Sequence, residues 1–391
     1  MTALGALPAD DVSGIEDLAD VVRSVVPRDV VRARADGALD RDLWRRFGEL
    51  GWLGLTVPEV DGGAGGDERA AAAVARELGA AGRAEPFAAS GVIVPACLAG
   101  ATGPASRELL ERAMAGDVLV SPAWQDERGG LAQDVSSIAI DRLPVTARPA
   151  GDHLVLSGRA HWVPTAAADV FLVAALAGAE PVLAQVDRGA PGLRHEPLRM
   201  ADGSSAATLH FDDLLLPAES VLSRGDDVVT VLAAAVDAGV VVTAAELLGA
   251  TGRMLELTLD YLRDRRQFGR QIGSFQALQH KAVDMWVQLQ LSEFAVDDAL
   301  RTRATPGVGP AARTLAASSA KARTSAAALA VGAAAIQLHG AIGFTEEYEL
   351  AHHVNRALVL ASWLGNASAH ARRYGHLTPS GTAGVGSEDG R

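Results

Sequence analysis

Residues 260–285 read Asp260-Tyr-Leu-Arg-Asp-Arg-Arg-Gln-Phe-Gly-Arg-Gln-Ile-Gly-Ser-Phe-Gln-Ala-Leu-Gln-His-Lys-Ala-Val-Asp-Met285. A long apolar run of helical character leads into this stretch. Arg263, Arg265 and Arg266 follow, then a Phe268-Gly269 turn, then a second helix for which Ser274 is the N-cap candidate before Phe275. Cationic side chains at a turn between two helices suit an anion, because a guanidinium presents a planar fork that donates two hydrogen bonds at once. A solvated charged turn fits the same residues.

The surrounding composition limits the possibilities. A chain of 391 residues, 49% hydrophobic, is long enough for two or three domains or one layered unit with a large core. Only 4% of residues are aromatic, so close-packed alanine and valine faces must make much of that core. A net charge of −13 argues against nucleic acid and anionic membrane as general partners. Cys97 is the single cysteine, which excludes an intrachain disulfide and a cysteine zinc cluster and fits the cytoplasm. The first residues lack a basic n-region, so no signal peptide is read there. The apolar stretch 228–245 is interrupted by Asp237, which favours a buried helix over a membrane span.

Taken in order, residues 13–115 read as helices, with Leu43, Trp44, Phe47 and Leu50 at helical spacing. Pro58-Glu59 and Asp61-Gly62-Gly63-Ala64-Gly65-Gly66 end a helix in a loop. These glycines are no dinucleotide fingerprint, since no strand precedes them and their spacing is wrong. Helices resume over 70–78 and 85–98. From Gly116 short strand-like runs take over, beginning at Val118, Ser137, Val145, Leu154, Val170, Pro181 and Ala207. Close spacing without intervening helices predicts a small antiparallel barrel or sandwich. From Asp226 the pattern is helical again, near 226–264, 274–304, 309–339 and 346–375. The expected organisation is α+β and multidomain: an N-terminal helical domain (1–115), a middle β-domain (116–225), a C-terminal four-helix bundle (226–377) and a flexible tail (378–391).

Arg265-Arg266-Gln267-Phe268-Gly269, with Ile272, Phe275-Gln276 and Asp284-Met285 behind it, resembles the signature of the acyl-CoA dehydrogenase family. The helix–strand–helix order over most of the chain agrees with that family. The resemblance implies FAD as cofactor and an oligomer, either a homo-oligomer or a tetramer of unlike subunits. In the family the segment crosses a subunit interface, so Arg265 would hold the neighbour's FAD pyrophosphate, with Gln267 and Phe268 near it and Gln276 at the adenine side. Gln337-Leu338-His339-Gly340-Ala341 resembles a second cross-subunit FAD contact, carried by Gln337, His339 and Gly340. Ala341 stands where the family has a second glycine, and alanine tolerates positive φ poorly. Trp124 and Gln125 resemble the segment lining the isoalloxazine, and Trp162-Val163 the strand with an aromatic beside the ring. Pro164 replaces a threonine that donates to the flavin in many members, and proline has no donor; Thr165 could substitute only after a shift of the strand.

The implied reaction is α,β-dehydrogenation of an acyl-CoA or other acyl thioester, with a glutamate removing the α-proton, hydride passing to flavin N5, and an electron-transfer flavoprotein as acceptor. One family position for the glutamate falls on Leu364, the other on Gly239, so both usual sites lack a carboxylate. On the helix carrying Gly239, Glu246 lies seven residues on, about 20° short of two turns and roughly 10 Å along the axis. Asp237 lies about 160° away, on the opposite face. Glu246 is therefore the candidate base, in an apolar setting that raises a carboxyl pKa; a neutral structural carboxyl is the competing reading. His339, His352 and His353 are weaker candidates, the last two expected at a surface or interface. The empty positions also leave open a non-catalytic FAD-holding subunit in an unlike-subunit pair, or a fold member repurposed for another flavin reaction in a biosynthetic pathway.

Overall fold

The computed structural model describes residues 12–27, 39–129 and 142–378; the strand expected at Ser137 and nearly all of the expected tail fall outside the described residues. Helix α1 (Val12–Val25) and α2 (Arg41–Glu49) begin the chain. Asp40 caps α2 by accepting from the Leu43 amide at 2.9 Å, and the helix buries Leu43, Trp44 and Phe47. Phe47 packs on Trp52 and edge-on to Phe87, which makes a small aromatic cluster in this part of the core. Helix α3 (Glu68–Ala80), capped by Asp67, follows the glycine loop. The helix expected over 85–98 is present but widened: Phe87–Ile93 is a fully buried π-helical stretch running into α4 (Val94–Ala99). Such widening is rare and recurs at functional sites. Helix α5 (Pro104–Met114) closes this part.

Among the described residues the middle is a sheet of eight strands: β1 (Val120–Ala123), β2 (Val145–Ala150), β3 (His153–Pro164), β4 (Val170–Ala177), β5 (Glu180–Asp187), β6 (Leu193–Arg199), β7 (Ser205–Pro217) and β8 (Val221–Arg224). Their order is β6-β7-β3-β2-β4-β5-β8, with β1 joined to β4. The expectation of a purely antiparallel sheet needs correction, because β1 pairs with β4 in parallel and β2 meets β4 in parallel at Thr146 and Leu176. Between β2 and β4 the crossover is supplied by β3 of the same sheet, so no helix is needed. Strands β6 and β8 carry too little hydrophobic alternation to stand out in the sequence.

The C-terminal part is a bundle of α6 (Asp226–Asp264), α7 (Gln276–Ala304), α8 (Pro310–His339) and α9 (Glu349–Ser362), with α10 (Ala367–Leu377) against α8. The single last helix expected over 346–375 is thus two helices, broken at Leu364-Gly365, with Asn366 capping α10 through the Ala369 amide. Helix α6 has the length and hydropathy of a membrane span, yet 78% of its apolar window is buried inside the protein, as a core helix requires. Between α6 and α7 stands a hairpin, β9 (Arg266–Gln267) and β10 (Arg270–Gln271). Phe268 and Gly269 both have positive φ, the signature of a type I′ turn. Helix α7 starts at Gln276 with Phe275 as its cap residue. The Ser274 hydroxyl instead donates to the Gln271 carbonyl, so Ser274 is not the N-cap.

Helices α3 and α6 cross at backbone contact. A Cβ on Gly79 would lie 2.0 Å from the Glu246 carbonyl oxygen, and one on Gly249 would lie 1.8 Å from that of Arg76. These two glycines let the N-terminal helices lie directly on the segment of α6 that carries Glu246. Gly249→Ala should therefore destabilise the protein by about 1–3 kcal/mol through overpacking. Gly252→Ala, whose Cβ would meet only Leu289 at 4.0 Å, should be neutral or stabilising; thermal unfolding of the two variants checks the difference.

Candidate functional site

A cavity of about 270 Å³ opens where the sheet, the π-helical stretch, α6 and α9 meet. Its wall is mostly apolar, with Phe87, Ala88 and Ala89 from the π-helical stretch and Val359, Leu360, Trp363 and Leu364 from the end of α9. Two carboxylates, Glu85 and Glu246, stand in this wall.

One side is built by a distortion of β3. The pairing of β3 with β7 slips between Ala160 and Val163, a bulge that re-aims a side chain. Trp162 sits in it with φ 55° and its ring side chain 41% exposed. The indole donates to the Glu127 carbonyl at 3.0 Å, and Gly129 packs beside it. Asp126 stiffens that loop by accepting from the Arg128 and Gly129 amides and pairing with Arg142. Gln125 bridges to His161 by its backbone and donates its side-chain amide to the Gly129 carbonyl. Beyond Pro164, Thr165 takes φ 66° and joins the cavity wall, with its amide bound to the Ser205 carbonyl. Thr165 thus stands in the cavity wall two residues beyond the slip in β3, on left-handed backbone.

The opposite side is an ion network. Arg356 on α9 donates from Nε to Glu246 Oε1 at 2.8 Å, approaches the same oxygen with Nη2 at 2.6 Å, and donates from Nη1 to Asp202 Oδ2 at 2.8 Å. Asp202, in the β6–β7 turn, also accepts from the amide and hydroxyl of Ser204. All three charged groups are buried, with Glu246 only 1% exposed. One guanidinium thus serves two carboxylates. Burial pushes the Glu246 carboxyl up to about 7, Arg356 opposes this, and Asp202 and Glu85 add to it. Asp202 lies below its ordinary value, because Arg356 and Ser204 outweigh its desolvation. Both Arg356 donors fall on Oε1, and Glu246 Oε2 has no hydrogen-bond partner among the described residues. Glu85 differs: Arg83 engages both of its oxygens, through Nε at 3.1 and 3.0 Å and through Nη2. Of the two cavity carboxylates, Glu246 is the one with a free oxygen, and its raised carboxyl suits proton transfer.

The residues singled out in the sequence fall into two groups. Gln125, Trp162 and Glu246 line the cavity. Trp124 and Val163 are buried in the core and do not line the cavity. Arg265, Gln267, Phe268 and Gln276 are exposed on the hairpin and the start of α7, with Phe268 89% exposed. Arg270 lies 4.0 Å over the Phe275 ring, which steadies the hairpin base. Gln337 and Gly340 are also exposed. His339 is buried: it stacks on Tyr261 and bonds to the Ala335 carbonyl and the Tyr348 hydroxyl, so its side chain has a structural task. Gly340 has φ 68°, whereas Ala341 has no positive φ, so alanine is comfortable there. His353 is not at a surface; it is fully buried against Glu349. Asp237 faces away from the cavity, held by Arg373 and Thr314. Gly239 and Leu364, the two vacant base positions, meet in space: a Cβ on Gly239 would be 3.6 Å from Leu364 Cδ1. Glu85, Asp202 and Arg356 were missed. The one available signal was Arg356 itself, on the apolar face of α9 with His353, Ala357 and Leu360.

Residues 15–117 match the family model of the acyl-CoA dehydrogenase N-terminal domain, and residues 229–375 that of the acyl-CoA dehydrogenase C-terminal domain. The chain is 30% identical over 362 residues to acyl-CoA dehydrogenase IpdE2 of Mycolicibacterium smegmatis, covering 92% of this chain and 95% of that protein. It is 32% identical over 346 residues to the IpdE2 of Mycobacterium tuberculosis, covering 88% and 89%. Among solved structures it resembles a chain of the ChsE4–ChsE5 complex from Mycobacterium tuberculosis, with a TM-score of 0.82, 25% identity and coverage of 94% and 98%.

Removing the guanidinium leaves two buried carboxylates without a counter-charge. Arg356→Met should cost about 3–5 kcal/mol near neutral pH. Without Arg356 the Glu246 carboxyl rises further and Asp202 loses the charge that holds it down, so desolvation drives both toward their protonated forms in the native state. The loss should then be largest at alkaline pH and shrink as pH falls and the two carboxyls protonate. Denaturant unfolding at several pH values checks this, and a pH-independent loss would count against the network.

Proposed function

Because the chain belongs to the acyl-CoA dehydrogenase family, a family of FAD-dependent oxidoreductases acting on CH–CH bonds, we propose that its cavity receives the acyl part of a CoA thioester and that Glu246 removes the α-proton. The observation that carries this reading is the free Oε2 of Glu246 in the wall of a mostly apolar cavity. With both usual base positions occupied by hydrocarbon or by glycine, Glu246 is the carboxylate left able to act. Arg356 fixes its orientation through Oε1, and burial keeps it basic enough to take a proton near neutral pH.

The residues present fit FAD. A tryptophan held half-exposed at a bulge offers a face for a planar ring, and a short hairpin with exposed Arg265, Arg266 and Arg270 offers forks for a pyrophosphate. Bound FAD supplies the acceptor for the β-hydrogen. Trp162, Gln125 and Thr165 would border its ring, and Arg265 and Gln267 would hold phosphates, with Gln276, Gln337 and Gly340 beside them. Arg265 stands 19 residues beyond Glu246, about 28 Å at the helical rise, which favours service to a neighbouring subunit's cofactor. Exposed Val283, Trp286, Leu291 and Phe294 on α7 fit subunit contact. An electron-transfer flavoprotein is the proposed acceptor and the cytoplasm the proposed compartment.

A second reading has its own support. Leu364 and Gly239 at the two positions where family members carry the base, and likeness to a chain from a complex of two differently named proteins, favour an FAD-holding subunit paired with an unlike partner.

Glu246→Gln should slow anaerobic flavin bleaching by acyl-CoA by ~10²-fold or more. In the parent protein the rate should rise with pH through about 7, because the base works deprotonated. An unchanged rate in Glu246→Gln, or bleaching that requires a co-purifying partner, would favour the second reading. Arg265→Ala should bind FAD roughly ten- to hundredfold more weakly and loosen the oligomer in parallel, with Arg265→Lys rescuing only partly; flavin retention on dilution and sedimentation measure the two effects.

A further inference from the structure

Helix α3 ends in a Schellman turn. Gly82 takes φ 63°, its amide bonds to the Gly79 carbonyl at 3.0 Å, and the Arg83 amide bonds to the Leu78 carbonyl at 2.9 Å. The chain then runs through Ala84, Glu85 and Pro86 into the π-helical stretch, and these three residues line the cavity. The Glu85 side chain is 4% exposed and that of Arg83 6%. Arg83 does not line the cavity, so it holds the Glu85 carboxylate from behind. Its hydrogens are spent unevenly. Oε1 receives both Nε, at 3.1 Å, and Nη2, whereas Oε2 receives only the shared Nε, at 3.0 Å. A carboxylate oxygen has two lone pairs. Neither oxygen is idle, but among the described residues Oε2 is half-used.

The chemistry of what sits against Glu85 follows from this. Arg83 already balances its charge, so a second cation has nothing to neutralise. A purely hydrocarbon chain would strip water from Oε2 and leave a buried acceptor under-satisfied, which is costly. A chain with its own carboxylate would meet Glu85 and Glu246, both of its own sign. Of the two arginines in the wall, Arg356 is spent on Glu246 and Asp202, and Arg128 is exposed to solvent. A neutral donor meets none of these costs. We propose that the cavity takes acyl thioesters that carry a hydroxyl on the acyl chain, and that Glu85 is the specificity-determining residue, accepting the hydroxyl hydrogen at Oε2. This rests on the acyl-thioester reading of the cavity but not on Glu246 as base.

The test is calorimetric titration of the FAD-loaded protein with straight-chain trans-enoyl-CoA thioesters, each beside counterparts carrying a hydroxyl or a carboxylate at successive carbons beyond the double bond. They cannot undergo the proposed dehydrogenation, so binding is read without turnover. The parent should bind one hydroxy isomer roughly ten- to hundredfold tighter than the unsubstituted chain, and the carboxylate series more weakly than that chain. The double variant Arg83→Met/Glu85→Leu removes both partners and so leaves no buried charge unpaired; it should lose the preference and bind the unsubstituted chain at least as well as the parent. Glu85→Gln keeps the shape with a neutral acceptor and should lower the preference by roughly fivefold even where the double variant folds poorly. A parent that binds every hydroxy ligand no tighter than its unsubstituted counterpart, or that favours the carboxylate series, would overturn the assignment. So would variants that weaken all ligands by the same factor, since that is what a merely structural ion pair would do. A parent that binds none of the thioesters would overturn the acyl-thioester reading and this inference with it, an outcome distinct from a parent that binds them without preference.

Discussion

Arg356 is the contact on which the arrangement of the site depends. Its guanidinium is the only strongly basic group touching Glu246 among the described residues, and it reaches the β6–β7 turn through Asp202 in the same gesture. Helix α9, helix α6 and the sheet are thereby fixed to one another at a single buried point. Burying three charges is expensive, and such networks are weak evidence for stability by themselves. Here the arrangement has a geometric yield: it spends both donors facing Glu246 on one oxygen and leaves the other toward the cavity. The Gly79–Gly249 crossing acts on the same segment from behind, clamping the α6 backbone at Glu246 against α3.

The two sides of the cavity use different physics. The sheet side relies on backbone irregularity: Trp162 and Thr165 both take left-handed conformations that non-glycine residues rarely adopt. The helical side relies on buried charge and on the break between α9 and α10. Trp162, Thr165 and Leu364 set left-handed backbone in the cavity wall, and the π-helical stretch Phe87–Ile93 adds a further irregularity there, whereas α6 behind them is unbroken. That distribution is what a site held by a rigid frame looks like.

What could be read in advance was local. The hairpin was legible because arginines, a Phe-Gly turn and flanking helical patterns all lie within a few residues. The helix–sheet–helix order was legible from the change of period near Gly116 and Asp226, and the opposed faces of Asp237 and Glu246 followed from helix geometry alone. The ion network was not legible, since Glu246 and Arg356 stand 110 residues apart and no spacing relates them. Nor were the left-handed residues, because tryptophan, threonine and leucine give no sign of positive φ. The break at Leu364-Gly365 left traces in Gly365 and Asn366, but the surrounding helical pattern concealed them. The parallel contact of β2 with β4 was hidden because a strand, not a helix, makes the crossover between them.

Helix α6 runs unbroken for 39 residues, from the edge of the sheet to the hairpin. It works as a ruler. Between Glu246 and Arg265 its interior can change in composition so long as it stays apolar on its buried faces, but its length cannot change. One inserted or deleted residue would turn the hairpin by about 100° and move it by about 1.5 Å, taking its arginines away from whatever they serve while leaving every local motif intact. The segment is thus constrained in number more than in identity. Among relatives of this chain, the count of residues between the buried carboxylate and the hairpin arginine should drift far less than the residues themselves.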